Sequence, residues 1–252
     1  ELLSFEEIER VARAFVLNGV VKLRLTGGEP LVRRQIEELI TRLAGIEGVE
    51  DLSLTTNAAL LTLKRAYALK AAGLSRITVS LDSLEDDVFM RVNDVQFPVE
   101  RVLDGINNAT VAGLGPVKIN MVVKRGMNDT EVADMAGRFK GSGHILRFIE
   151  YMDVGTTNGW RLDEVVPARE IAESINARFP IEPLDPNYKG EVAKRWRYMD
   201  GSGEVVSLDQ QPQESSRSPK SKIKRERVKA SKERTKKIKA ERKFVRGKKG
   251  NS

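Results

Sequence analysis

Side chains able to bind a ligand recur in this sequence where short apolar segments end. Burying an unpaired charge costs several kcal/mol, so a regular set of such groups indicates a binding site more strongly than one member does. For any single member, turn chemistry or a satisfied barrel residue is the alternative. The set comprises Arg24, Thr26, Gly27, Gly28, Glu29, Thr55, Thr56, Asn57, Ser80, Asp82, Lys118, Asn120, Arg147, Glu150 and Met152.

The stretch Gly27-Gly28-Glu29-Pro30 has its own chemical logic. Two glycines let the backbone approach a ligand closely with free polar groups. Pro30 lacks an N–H group and restrains Glu29 to extended geometry. The stretch therefore suits a ligand that carries an ammonium group. The alternative is an ordinary turn between a strand and a helix.

The elements that must position these residues follow from hydrophobic periodicity. Ser4-Phe5-Glu6-Glu7 reads as a capping box that opens a helix. After it, strands alternate with helices. The predicted strands are 20–25, 52–54, 77–81, 117–123 and 145–149, and the predicted later helices are 34–43, 64–72, 99–112, 129–139 and 167–177.

Strict alternation of strand and helix predicts an α/β fold with a parallel sheet and right-handed crossovers. We expect an incomplete TIM-like (βα) barrel over residues 1–206, with an open doubly wound sheet as the alternative. The chain opens on a helix, so we expect a first strand to be missing upstream, which leaves 20–25 as an exposed edge. In either fold, ligands bind at the carboxyl ends of the strands.

Charge divides the chain into two parts. The net charge is +7, but residues 207–252 hold 17 Lys+Arg and 5 Asp+Glu, whereas the preceding 206 residues hold 26 and 31. This basic tail has too few apolar residues to fold alone. We expect it to be disordered or to be translated out of frame. Its cations suit phosphates, but nucleic-acid binding is not the interpretation we favour.

Composition excludes several classes of protein. The chain has no cysteine, so it forms no disulfide and holds no cluster or metal through thiolates. No apolar run reaches 18 residues, which predicts no membrane span. A reduced, cytoplasmic setting is expected. His144 is the single histidine, and we expect it to be a solvent-facing loop residue.

The ordered motifs resemble a known family. GGEP after a parallel strand resembles the motif with which radical S-adenosylmethionine enzymes bind the methionyl amino group. RLTGGEPLVRR, LTTN, VSLDSL, VKINMVVKRGMND and RFIEYMDVG…NGW, in this order, resemble GTP 3′,8-cyclases. These enzymes convert GTP to (8S)-3′,8-cyclo-7,8-dihydroguanosine 5′-triphosphate in the first step of molybdenum cofactor biosynthesis. The similarity covers about residues 1–206.

The resemblance implies two groups of binding residues. Gly28, Glu29, Ser80 and Met152 match positions that contact S-adenosylmethionine. The positions expected to face GTP are Arg24, Thr55, Lys118 and Arg147. Arg and Lys neutralise triphosphates, so chemistry and resemblance agree in kind. An ion pair of Arg24 or Lys118 with Glu29 or Glu150 is the alternative.

The chain departs from the family in its iron ligands. Members hold two [4Fe-4S] clusters on cysteines, and this chain ligates neither. We therefore assign no catalytic or metal-binding residue and expect the chain to be an inactive fragment on its own. A homodimer is allowed by the resemblance. Two alternatives stay open: a non-catalytic barrel with a basic tail, and an enzyme that uses Lys118 as a Schiff-base amine.

Overall fold

The computed structural model describes residues 2–152, 162–186 and 193–208. The chain divides into two compact units, 1–210 and 211–252, and the second lies wholly outside the described residues. The expectations about the basic tail, and about the NGW motif at 158–160, therefore concern residues outside this description. No helix in the described ranges combines the length and hydrophobicity that a bilayer crossing requires.

Seven helices and eight strands make up the described part of the first unit. The helices are α1 (Phe5–Leu17), α2 (Ile36–Ala44), α3 (Leu63–Ala71), α4 (Asp86–Asn93), α5 (Glu100–Val111), α6 (Val132–Phe139) and α7 (Ala168–Arg178). The strands are β1 (Lys22–Leu25), β2 (Asp51–Thr56), β3 (Arg76–Ser80), β4 (Lys118–Val123), β5 (Ile145–Glu150), β6 (Ile181–Leu184), β7 (Ala193–Tyr198) and β8 (Glu204–Leu208). Short 3₁₀ turns span Pro30–Val32, Asp129–Glu131 and Leu162–Glu164.

The sheet order decides between the two predicted architectures. The order is β1-β2-β3-β4-β5-β8-β7-β6, and β1 to β5 are parallel neighbours in chain order. A doubly wound sheet reverses its strand order at a switch point, and β1 to β5 show no reversal. The result is an α/β fold of the partial TIM-like type, as predicted. β1 ends the order, and its outer edge pairs with no strand in the described ranges.

Three strands extend the sheet beyond the five that periodicity predicts. β8 pairs parallel with β5, and β7 and β6 follow in antiparallel fashion. Their short alternating pattern carries many charges, which hid them from a search for apolar runs. The predicted domain boundary at residue 206 falls inside β8, which ends at Leu208.

The helices begin and pack where the sequence indicates. The Ser4 hydroxyl accepts from the Glu7 amide while the Glu7 carboxylate accepts from the Ser4 amide, so the predicted capping box is confirmed. On α2, Ile36, Leu39 and Ile40 are at most 2% exposed. Burying each such side chain is worth about 1.5–3 kcal/mol, which seats this helix on the sheet.

Candidate functional site

The predicted binding residues of the first strands lie on one face of the sheet. Arg24 of β1 pairs in register with Ser53 of β2, and Thr55 of β2 pairs with Thr78 of β3. Registered neighbours in a sheet point to the same side, and residues two apart on a strand do as well. Arg24 and Thr55 therefore share one face.

The same face continues across β4 and β5. Thr78 pairs with Lys118, Ser80 pairs with Asn120, and Asn120 pairs with Arg147. Five of the eight predicted site residues, one from each parallel strand, thus face the same side. Sequence alone had brought them together only as a set of positions.

The opposite face of these strands is apolar and covered. Leu52, Leu54, Ile77, Val79 and Ile119 are at most 1% exposed, because they alternate with the polar residues and belong to the core. The face that carries the site is less covered, with Thr55, Ser80, Lys118 and Arg147 each partly exposed. Such a division leaves one polar, inward surface free to contact a ligand.

Positive charge is concentrated on this surface. Burial first, and then the positive charges of Arg76, Arg147 and Arg24, lower the pKa of Lys118, while Asp51 acts in the other direction. Burial, followed by Arg24 and Arg76, likewise lowers the pKa of Arg147. Cations that lower each other's pKa values repel one another, and an anion among them would relieve that repulsion.

One predicted position requires a correction. We expected Lys118 at the carboxyl end of its strand, but it is the first residue of β4 and lies at the amino end. Arg147 is the third residue of the six in β5. The polar surface therefore extends down the strands instead of occupying their rim alone, and long cationic side chains reach into it from below.

Glu29 is held by the protein itself. Its Oε1 accepts from the Leu31 amide at 2.9 Å and from the Thr56 hydroxyl at 2.6 Å, and its Oε2 accepts from the Asn57 amide at 2.7 Å. The carboxylate thus fastens the loop after β1 to the end of β2. It has little capacity left for a ligand ammonium, beyond a remaining lone pair of Oε2.

The two glycines leave open backbone beside Glu29. Gly27 has φ +147°, a conformation that side chains rarely adopt, whereas Gly28 has none of this strain. A Cβ at either position would meet no described atom within 4 Å. This backbone is free for close approach by a ligand, as the sequence predicts.

The remaining predicted residue, Met152, follows the end of β5 by two positions and is 43% exposed. It lies at the carboxyl edge, where the loop after β1 also lies. Asn120, which was not among the assigned binding residues, lies between Ser80 and Arg147. Its buried Oδ1 has no hydrogen-bond partner among the described residues, so it can accept a bond from a ligand.

The alternative ion pairs do not form within the described ranges. Glu150 is 4% exposed, lies on the opposite face of β5 from Arg147, and accepts from the Ala168 amide at 2.6 Å. Neither Glu29 nor Glu150 contacts Arg24 or Lys118 in an ion pair. No group of His, Asp and Glu in the described chain could hold a metal ion.

His144 differs from the expectation. It lies in the loop before β5 but is partly buried, with its ring centroid 6.4 Å from that of Phe139. Burial lowers its pKa. The short Gly-rich loop favours exposure, but packing against α6 covers the ring.

Comparison with protein families gives two matches along the chain. Residues 1–139 match the Radical SAM superfamily, and residues 144–213 match Molybdenum Cofactor Synthesis C. The boundary between the two matches falls between α6 and β5.

Curated relatives carry one name. The chain is 52% identical over 214 residues to a GTP 3′,8-cyclase of Acidothermus cellulolyticus, a match that covers 84% of this chain and 59% of the relative. It is 53% identical over 203 residues to a GTP 3′,8-cyclase of Xanthomonas campestris, covering 81% and 60%. The chain thus spans about three fifths of the length of these relatives.

Solved structures support the fold. The chain is similar to Streptococcus suis SuiB bound to S-adenosylmethionine, with a TM-score of 0.58 and 16% identity over 70% of this chain and 40% of that one. Identity this low speaks to the fold alone. With the family match across more than half of its length, this chain belongs to the radical SAM superfamily.

Proposed function

We propose that this chain is the nucleotide-binding barrel of a GTP 3′,8-cyclase and that it binds GTP and S-adenosylmethionine on one inward surface. One observation carries the proposal: Arg24, Thr55, Ser80, Lys118 and Arg147 share a face of the parallel sheet. The two 3′,8-cyclase relatives named above, at just over 50% identity, support the choice of substrate.

GTP is the ligand that the cations fit. Arg24, Lys118 and Arg147 carry no ion pair with a described carboxylate, and a triphosphate would neutralise them. Thr55 lies between Arg24 and Lys118 in strand order, where its hydroxyl can donate to or accept from the nucleotide. The repulsion recorded in the lowered pKa values of Lys118 and Arg147 becomes a source of binding energy.

S-adenosylmethionine fits the carboxyl edge. Open backbone at Gly27 and Gly28 suits the methionyl end of the cofactor, and Ser80 and the unpaired Oδ1 of Asn120 suit a ribose. Met152 is placed to contact an adenine ring. In the family, the bound cofactor is the source of a 5′-deoxyadenosyl radical. Glu29 shapes this edge mainly by holding the loop.

The iron–sulfur clusters of the family do not fit the residues present. The chain has no cysteine, and the described residues hold no other cluster of metal-binding side chains. No step of the reaction is therefore derived for this chain. We expect it to bind GTP without converting it.

Isothermal titration of the purified chain with GTP, guanosine and inorganic triphosphate tests the proposal. We expect GTP and triphosphate to bind and guanosine to bind far more weakly. Lys118→Met should weaken GTP binding about tenfold or more. The matched control is Arg169→Met, because Arg169 is 87% exposed on α7 and pairs with Glu173. Equal affinities in these two variants would refute the assigned site.

Anaerobic reconstitution with iron and sulfide tests the expectation of inactivity. We expect no absorbance of an iron–sulfur cluster in the reconstituted protein and no cyclic product with GTP. A stable brown protein would contradict this part of the proposal and leave the GTP site untouched.

A second candidate function, amine chemistry at Lys118, is favoured by one observation. Burial and three neighbouring cations lower the pKa of this lysine, and such surroundings activate Schiff-base amines. Borohydride in the presence of a carbonyl substrate should trap no adduct if the GTP proposal is correct. A covalent adduct on Lys118 would favour the amine enzyme.

Partners and setting remain part of the proposal. We expect a cytoplasmic protein that forms a homodimer, and no binding of nucleic acid through residues 207–252. Sedimentation measurements at several concentrations test the dimer. A gel-shift assay with duplex DNA and single-stranded RNA at 150 mM salt tests the tail, and tight binding there would reverse that expectation.

A further inference from the structure

A fifth charged pair belongs to the inward surface, formed by Arg76 and Asp51. Nε of Arg76 donates to Oδ1 of Asp51 at 2.9 Å, and a second guanidinium nitrogen contacts Oδ2. This is the bidentate geometry in which a carboxylate fixes a guanidinium plane. The Asp51 side chain is 16% exposed and that of Arg76 is 35% exposed.

Register places the pair on the same face as the GTP-binding residues. Arg76 is opposite Ser53 and two residues before Thr78 on β3, while Asp51 is two residues before Ser53 on β2. Both side chains therefore point to the side that carries Lys118. The sequence analysis assigned neither residue, because both begin their strands and the search concentrated on strand ends.

Arg76 acts directly on the cations of the site. Among neighbouring positive charges, it is the one that most lowers the pKa of Lys118, ahead of Arg147 and Arg24. It also contributes to the lowered pKa of Arg147. Two of its five N–H donors serve Asp51, and the others bond to no described residue.

We propose that Arg76 is a further polyphosphate-binding residue at the base of the surface and that Asp51 is the residue that positions it. The inference rests on the proposed GTP site and adds a fourth cation to Arg24, Lys118 and Arg147. Asp51 fixes the guanidinium plane so that the unused donors meet a phosphate already oriented. The cost of immobilising a long side chain is then met before the ligand arrives.

Two roles for Asp51 predict opposite results. If it only cancels charge, Asp51→Asn raises the net charge of the site by one and tightens the binding of an anion. If it positions Arg76, the same substitution frees the guanidinium and weakens binding. We expect weakening, by about threefold to tenfold.

The experiment is calorimetric titration of inorganic triphosphate into wild type, Arg76→Met, Arg76→Lys and Asp51→Asn. We expect Arg76→Met to weaken binding about tenfold and Arg76→Lys to recover only part of the loss, since an ammonium cannot make the bidentate contact. Glu170→Gln is the matched control, because it removes a carboxylate from Arg125 on the exposed surface of α7. It should bind as wild type does.

Each outcome separates the two proposals. If wild type binds neither GTP nor triphosphate, the proposed function fails and this inference fails with it. If wild type binds and Arg76→Met binds equally well, the inference is overturned while the GTP site stands. Tighter binding by Asp51→Asn would overturn the positioning role alone.

A measurement on the unaltered chain guards against variants that do not fold. In ¹⁵N spectra of the arginine Nε–H groups, the Arg76 signal should move when triphosphate is added, with Arg76→Lys or a segmentally labelled sample providing the assignment. Signals of Arg125 and Arg169 should stay in place. A stationary Arg76 signal at saturating triphosphate would overturn the proposal.

Discussion

Thr56 Oγ1 donates a 2.6 Å hydrogen bond to Glu29 Oε1, and this contact joins the loop after β1 to the end of β2. The same hydroxyl accepts from the Ala58 amide at 2.9 Å. Glu29 is thus the centre of a small network that also includes the amides of Leu31 and Asn57. A residue that resembles a cofactor ligand in sequence serves here to hold the loop that carries Gly28.

Glu29→Ala should destabilise the barrel. Three donors lose their acceptor, and hydrogen bonds to a charged group are worth about 1.5–3 kcal/mol each, so partial rescue by water leaves a loss of about 3 kcal/mol. Urea unfolding followed by circular dichroism measures it. Glu47→Ala, at an exposed carboxylate in the loop before β2, is the control. A loss below about 0.5 kcal/mol would show that the network contributes little.

The two glycines should respond differently to alanine. Gly27→Ala forces a side chain into φ +147°, which costs about 1–3 kcal/mol. Gly28→Ala meets neither strain nor a described neighbour, so its unfolding free energy should match wild type. Binding of S-adenosylmethionine, followed by saturation-transfer NMR, should nevertheless fall in Gly28→Ala. Unchanged binding would remove Gly28 from the cofactor site.

Asp82 should make stability depend on pH. Burial raises its pKa to about 6, although the Val122 amide donates to its carboxylate at 2.6 Å. A raised pKa means that the folded state holds its proton longer than the unfolded chain does. The contribution of Asp82 is therefore fully present below about pH 4 and is lost as pH rises through about 6.

The difference between Asp82→Asn and wild type isolates this effect, because the amide keeps an acceptor for Val122. The variant should gain about 3 kcal/mol relative to wild type on going from pH 4 to pH 7.5. Urea titrations at both values measure the gain. A difference between the two proteins that does not change with pH would show that Asp82 ionises normally.

Arg147→Met should stabilise the chain without ligand and weaken GTP binding. Burial and the charges of Arg24 and Arg76 lower the pKa of Arg147, so the site holds a strained set of like charges. Removing one relieves that strain, an exchange of stability for function. Thermal unfolding at 20 mM and 500 mM salt measures it, and the gain should shrink at high salt. A lower melting temperature at low salt would contradict the repulsion.

Sequence determined the elements that depend on local chemistry. The helix after Ser4, the five parallel strands and the set of polar positions on them follow from capping and periodicity, which act over a few residues. The short helix α4 and the charged strands β6 to β8 did not follow, because their apolar content is too low to mark them. Lys118 was assigned to the wrong end of its strand for a related reason, since an apolar run does not show where pairing begins.

Tertiary structure alone decided which polar residues meet. Register between strands far apart in the chain put Arg24 and Arg147 on one face, paired Arg76 with Asp51, and turned Glu150 away to accept from Ala168. Gly105 of α5 shows the same principle, because a Cβ there would lie 2.5 Å from the Ala58 carbonyl oxygen. Local sequence sets each segment's shape, but the contacts that make a site depend on packing between segments.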